Sequence, residues 1–142
     1  MISRKSLVLD ASVTLAWAFK EELNEYTRGV LWSLRKGQAI VPHLWALEVA
    51  NALLVAERRG RLKRAEVEQF VGFLRELPIV VETEVPERIL GEVLALAREQ
   101  NLSVYDAAYL DLATRLGVPL ATLDEPLKAA AGRVGVEVFQ TK

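Results

Sequence analysis

The chain has 142 residues, of which 51% are hydrophobic and 26% are charged, and it contains no cysteine. These values predict one globular domain over residues 1–142, with enough chain to bury a core. They exclude disulfides, thiolate metal sites and cysteine nucleophiles. The net charge of −1 gives no general attraction to nucleic acid, so any such contact must rest on local patches.

No apolar run approaches the roughly 18 residues of a membrane span. The N-terminus lacks the small-residue cleavage site that is typical of a signal peptide. We therefore expect a cytoplasmic protein without membrane contacts. The single histidine, His43, excludes multi-histidine metal sites.

Strand-like and helix-like segments alternate along the chain, which predicts a parallel α/β sheet covered by helices on both faces. Short apolar runs predict strands at residues 6–10, 39–41, 79–81, 119–123 and 136–139. Apolar residues at helical spacing, bounded by Gly, Pro and capping residues, predict helices at 12–19, 23–35, 44–59, 64–77, 86–99, 103–117 and 126–131.

Two of the predicted strands end in an aspartate. Asp10 follows the apolar residues 7–9, and Asp124 follows residues 120–123. Functional groups collect beyond the carboxyl ends of parallel strands, so the two carboxylates are candidate site residues. Each also precedes a predicted helix, where aspartate is a favoured N-cap. A capping role therefore stays open for both.

Glu48 lies on an unusual stripe of the helix predicted at 44–59. With 3.6 residues per turn, it shares one face with Leu44, Asn51 and Val55, which indicates an inward or groove-lining position. A carboxylate there is unfavourable unless it is paired or bound to a cation. No Lys or Arg lies three or four residues away on this helix. Glu48 therefore predicts either a metal ion or a distant arginine.

Asp106 stands three residues after Ser103, a spacing typical of a helix-capping box. It also lies at the edge of the helix's predicted apolar arc, so it is a candidate site residue. Asp111 is placed on the opposite, solvent-facing side, where a solvent-exposed pair with Arg115 would sit. The predicted arc consists of Tyr105, Tyr109, Leu112 and Leu116.

Four converging carboxylates without histidine or cysteine suit an oxygen-preferring cation such as Mg²⁺ or Mn²⁺. Such sites support phosphoryl transfer, in which metal-activated water replaces a protein nucleophile. This agrees with the lack of a convincing nucleophile in the sequence.

At these residues the chain resembles PIN-domain proteins, and specifically VapC-type toxin ribonucleases. The similar segments occur in family order and are LVLDASV (7–13), LEVANAL (47–53), LSVYDAAYL (102–110) and ATLDEPL (121–127). The resemblance implies a three-layer α/β/α fold with a central parallel sheet of about five strands. It further implies Mg²⁺- or Mn²⁺-dependent cleavage of RNA, pairing with a small VapB-like antitoxin in the active-site groove, and a homodimer.

The resemblance assigns the family's acidic residues to four positions, with the aspartates holding the metal and the glutamate completing the shell or orienting water. It matches an accessory hydroxyl to Ser12 and suggests supporting roles for Thr122, beside the fourth acid, and for Asn51, which would orient the glutamate. The four acids are Asp10, Glu48, Asp106 and Asp124.

Five cations fall within the seven residues 58–64. Arg58, Arg59 and Arg61 are candidate RNA-phosphate contacts. A solvated turn between helices explains them equally well, because cations also suit helix C-termini.

Two other functions fit the sequence less well. A phosphorylation-dependent receiver domain needs an aspartate after its third strand and a lysine after its last. Here Glu82-Thr83-Glu84 and Gln140-Thr141 stand at those places. A non-catalytic PIN-like module, binding RNA or protein, typically lacks one or more of the acids. The intact set of four therefore favours an enzyme.

Overall fold

A parallel sheet forms the centre of the molecule in the computed structural model, which describes residues 5–141. Its strands are β1 (Lys5–Leu9), β2 (Gly37–Pro42), β3 (Ile79–Glu82) and β4 (Leu120–Ala121). They lie in the order β3-β2-β1-β4, and each pairing is parallel. Helices flank this sheet, which confirms the predicted α/β class. The expectation about the N-terminus concerns residues 1–4, which lie outside the described residues.

The helices follow the predicted order with small changes in their ends. The predicted helix at 86–99 is one continuous helical run that contains a π-helical segment, Ile89–Val93. The α-helices are α1 (Ala11–Ala16), α2 (Glu25–Ser33), α3 (Leu44–Arg58), α4 (Arg64–Arg75), α5 (Pro86–Arg88), α6 (Leu94–Gln100), α7 (Val104–Leu116) and α8 (Glu125–Val134).

The first predicted helix ends earlier than residue 19, and a 3₁₀ turn, Lys20–Glu22, follows it. Asn24 then caps α2, because its side chain accepts from the Thr27 amide while the Thr27 hydroxyl accepts from the Asn24 amide. The Trp17 indole donates to the Thr27 carbonyl at 2.8 Å and ties α1 to α2.

The fourth and fifth predicted strands are shorter than expected. β4 has two residues, since the amides of Leu123 and Asp124 donate to the hydroxyls of Ser12 and Thr122 instead of to a neighbouring strand. The segment predicted as a strand at 136–139 makes a single parallel bridge, between Leu120 and Val138. A two-residue strand offers too few backbone groups to pair a full fifth strand.

The core lies around β1 and the middle of α7. Leu7, Val8 and Leu9 are buried, and so are Tyr109 and the neighbouring apolar residues of α7. Because β1 is paired on both sides and covered by helices, its carboxyl end is a rigid position in the fold.

Asp111 was expected on the solvent face of α7, and this prediction is wrong. The residue is 8% exposed. Its carboxylate accepts two hydrogen bonds from Arg88, at 2.7 and 2.8 Å, and one from Arg115 at 3.1 Å. The predicted pair with Arg115 is present, but α5 brings Arg88 over the same surface. Conversely, Tyr105, which was placed in the apolar arc, is 64% exposed.

Within residues 5–141, the longest apolar helical segments fall short of what is needed to cross a lipid bilayer.

Gly37→Ala should destabilise the fold, because a Cβ at this position would lie 2.4 Å from the Lys5 carbonyl oxygen across the β1–β2 pair. We expect a loss of about 1–3 kcal/mol in the free energy of unfolding, measured by urea denaturation. Gly72→Ala is the matched control, since its Cβ would meet nothing within 4 Å on the exposed face of α4. That variant should be neutral or more stable by up to about 1 kcal/mol. Equal stability of the two variants would contradict the close approach at Gly37.

Candidate metal centre

Asp10 lies directly after β1, and its side chain does not cap the helix that follows. The residue occupies the N-cap position of α1 without a side-chain capping bond. Its Oδ2 accepts instead from the Ser12 hydroxyl at 2.6 Å and from the Thr122 hydroxyl at 2.7 Å. At 6% exposure, this carboxylate is held by neutral donors at the junction of β1 and β4.

Asp124 does cap a helix, as the alternative interpretation proposed. Its Oδ2 accepts from the Leu127 amide at 2.9 Å, at the start of α8. The Asp124 amide donates to the same Thr122 hydroxyl that holds Asp10. A single threonine therefore fixes the separation of the two strand-end aspartates.

Glu48 projects from the second turn of α3 and is partly buried, as its helical stripe predicted. Its Oε1 accepts a 2.6 Å hydrogen bond from the Tyr109 hydroxyl of α7. The expected hydrogen bond from Asn51 is not formed in the described part of the chain, where Asn51 is exposed. The alternative interpretation paired Glu48 with a distant arginine, but its partner in the structure is the Tyr109 hydroxyl.

Asp106 occupies the first turn of α7. Its amide donates to the Ser103 hydroxyl at 3.0 Å, which confirms Ser103 as the helix cap. The carboxylate is close enough to Asp10 and Asp124 for their charges to affect it.

The four carboxylates form one electrostatic group. Burial raises the pKa of Asp10, and the charge of Asp124 adds to this effect. Burial also raises the pKa of Glu48, with further contributions from Asp10 and Asp106. The pKa of Asp106 is raised by burial and by the charges of Asp10 and Asp124. The ionised cluster is therefore unfavourable without a compensating positive charge.

That positive charge does not come from the described chain. None of the four acids makes an ion pair with a Lys, Arg or His within residues 5–141. The buried acid Asp111, by contrast, pairs with two arginines. An all-oxygen donor set with uncompensated charge fits a hard divalent cation.

The fit requires some adjustment of the side chains. In the described range, no three Asp, Glu or His side chains are placed as a ready-made metal-binding group. Direct coordination by several carboxylates would therefore need side-chain rotation, and water can bridge the longer gaps.

The arginines at the C-terminal end of α3 and just beyond it differ in whether they pair with a carboxylate. Arg61 pairs with Glu21 at 2.6 Å and Glu22 at 3.4 Å, and its guanidinium stacks on the Phe19 ring at 4.2 Å. Arg58 and Arg59 are exposed and have no carboxylate partner in the described chain. Arg61 is therefore held in a structural role, whereas Arg58 and Arg59 keep their charge available.

Arg59 and Arg61 both line a cavity of about 350 Å³ beside α3, together with Phe19 and Glu22. Ala52 and Val55, which line its wall, lie one and two helical turns beyond Glu48. None of the four acids lines this cavity, but it lies next along α3 from Glu48.

Two features of the site were not predicted from the sequence. Tyr109 was assigned only to the apolar arc, although its spacing of three residues from Asp106 places both on one helix face. No local pattern indicates that Arg61 would be neutralised, since its partners lie 39 and 40 positions earlier in the chain.

Comparison with known proteins identifies a matching family model and several similar proteins. The family model described as "PIN domain" matches residues 7–133. Ribonuclease VapC3 of Pyrobaculum aerophilum is 34% identical over 121 residues, covering 85% of this chain and 91% of that protein. Exonuclease VapC9 of the same organism is 32% identical over 109 residues, covering 76% and 79%.

Solved structures show the same fold. The P. aerophilum protein PAE2754 superposes with a TM-score of 0.64 at 27% identity, covering 91% of this chain and 87% of that one. A toxin–antitoxin complex from Klebsiella pneumoniae includes a chain with a TM-score of 0.62 at 15% identity, covering 87% and 90%.

Asp10→Asn should stabilise the metal-free protein at neutral pH. Burial raises the pKa of the Asp10 carboxyl in the folded protein above its value in the unfolded chain. The stability that this group contributes is fully present below the unfolded-state pKa, and it is lost as the pH rises through the folded-state pKa. The variant should therefore melt a few degrees higher than the wild type at pH 7 in EDTA. The difference should vanish near pH 4, as followed by thermal denaturation across that range.

Asp111→Asn is the matched control, because the same substitution there breaks ion pairs with Arg88 and Arg115. It should lower the free energy of unfolding by about 2 kcal/mol at pH 7. A loss of stability in both variants would contradict the view that the charge of Asp10 is uncompensated.

Proposed function

Because this chain belongs to the PIN domain family, we propose that it is a metal-dependent endoribonuclease and the toxin of a type II toxin–antitoxin pair. The single observation that carries this proposal is the cluster of four acids without a cationic partner in the described chain. A merely structural set of acids would be expected to resemble Asp111, with arginines in contact. We also propose that residues 1–142 form a single PIN domain.

In the proposed mechanism, Asp10, Asp106 and Asp124 would hold Mg²⁺ or Mn²⁺, directly or through water, and Glu48 would complete the set or orient the attacking water. A bound ion would lower the pKa of that water and neutralise charge on the reacting phosphate. Ser12 and Thr122 hold Asp10 in place with neutral hydroxyls, so they do not cancel the charge that attracts the cation.

The RNA backbone is proposed to run from the acids along the cavity beside α3, where Arg59 is available to contact a phosphate. Hydrolysis would leave a 5′-phosphate and a 3′-hydroxyl. Since the carboxylates repel an approaching phosphate, an arginine in this cavity without a carboxylate partner in the described chain supports binding.

We further propose that the protein is cytoplasmic, forms a homodimer and binds a small VapB-like antitoxin. The Klebsiella structure, a toxin–antitoxin complex, supports the antitoxin. Co-purification with the product of the adjacent reading frame, followed by size-exclusion chromatography, tests both interactions.

Asp10→Asn should abolish RNA cleavage while leaving the protein folded, and EDTA should abolish cleavage by the wild type. A circular RNA substrate makes the assay specific for an endonuclease, because exonucleases need a free end. Activity should return when Mg²⁺ or Mn²⁺ is added to the wild type but not to the variant. Full cleavage by Asp10→Asn, or in excess EDTA, would refute the mechanism. RNA binding without cleavage under every metal condition would favour the non-catalytic module.

Arg59→Gln should weaken RNA binding and reduce its salt dependence by about one phosphate contact. The measurement is RNA affinity at several salt concentrations, in an Asp10→Asn background that prevents cleavage. Arg61→Gln is the control, since its charge is already neutralised by Glu21 and Glu22. It should change the salt slope little. The opposite ranking of the two variants would show that the RNA follows another path.

A further inference from the structure

Glu48 differs from the strand-end acids in how it is held. Asp10 and Asp124 accept hydrogen bonds from groups at their own end of β1 and β4. Glu48 has one hydrogen-bond donor in the described chain, the Tyr109 hydroxyl, which belongs to a helix 61 positions later. The donor–acceptor distance is 2.6 Å, and Tyr109 is 0% exposed.

We propose that Tyr109 is a positioning residue whose hydroxyl fixes one oxygen of Glu48 and presents the other to the divalent cation. The second oxygen, Oε2, has no hydrogen bond within residues 5–141. This inference rests on the proposed metal-dependent function. It adds to that function a residue outside the four acids.

The packing of α7 gives Tyr109 the rigidity that this role requires. The residues on either side of it, Ala108 and Leu110, are buried, and its own ring is enclosed by the main core. A hydroxyl on an enclosed ring has little freedom to move, so it defines a single place for Glu48 Oε1.

Tyr109 also links the position of Glu48 to that of Asp106. The two α7 residues lie three positions apart and share one helix face. A displacement of α7 would therefore shift one acid directly and the support of another at the same time. The hydrogen bond connects α3 to α7 at the site.

Tyr109→Phe removes the hydroxyl alone, and direct Mn²⁺ binding by titration calorimetry measures the result without an activity assay. We expect the dissociation constant to rise on the order of 10-fold, as is typical when a group that orients a metal ligand is lost. Tyr105→Phe is the matched control, because its side chain is 64% exposed and its hydroxyl makes no hydrogen bond in the described chain. That variant should bind Mn²⁺ like the wild type. Circular dichroism establishes that both variants are folded.

A double-mutant cycle with Glu48→Ala separates positioning from a general structural effect. Without the carboxylate there is nothing to position, so Tyr109→Phe should not weaken Mn²⁺ binding further in the Glu48→Ala background. An equal loss in both backgrounds, or no loss in the wild-type background, would overturn the proposal.

The experiment also distinguishes failure of the positioning role from failure of the proposed metal-dependent function. If the wild type binds no Mn²⁺, the proposed metal-dependent function is refuted. The same four proteins are then compared by urea unfolding in EDTA. Coupling between Tyr109 and Glu48 in that cycle would show that the phenol holds the carboxylate, and its absence would overturn the positioning role as well.

Discussion

The two hydrogen bonds that hold the Asp10 carboxylate are the interaction on which the site depends. Ser12 and Thr122 both donate to the same oxygen, and the two hydroxyls also accept the amides of Leu123 and Asp124. The pair therefore ends β4 early and sets the place of the second strand-end aspartate. Because hydroxyls are neutral, they satisfy the buried acid without removing its charge.

The chain accommodates its buried acids in two physically distinct ways. Asp111 and Glu84 are enclosed by Arg88 and Arg115, which cancel their charge and join α5 to α7. The acids of the candidate site receive amide, hydroxyl or phenol donors, and their mutual repulsion remains. Such an arrangement reduces the stability of the metal-free fold, and the proposed cation would recover that stability on binding. This contrast distinguishes the arginine-paired carboxylates from those of the candidate site more sharply than burial does.

Local signals predicted the fold well where the chain itself supplies the determinants. Ser103 and Gly117 bound α7 as expected, and Pro86 starts the helical run after β3. The strand at 119–123 was predicted too long, because apolar composition cannot show that hydroxyls from elsewhere will take its amides. Asp111 was misplaced for the same reason. A helical wheel contains Arg115, four residues away, but not Arg88 on another helix.

The sequence by itself determined the parallel α/β order and the four candidate acids, because strand ends, helix stripes and caps are properties of neighbouring residues. Only the tertiary structure decided how those acids are held. The partners of Asp10 and Glu48 lie 112 and 61 positions away, beyond any local periodicity. The tertiary structure likewise decided that Arg61 is neutralised while Arg59 is available. Hydrogen bonds and ion pairs depend on distances of about 3 Å, which only the packed chain sets.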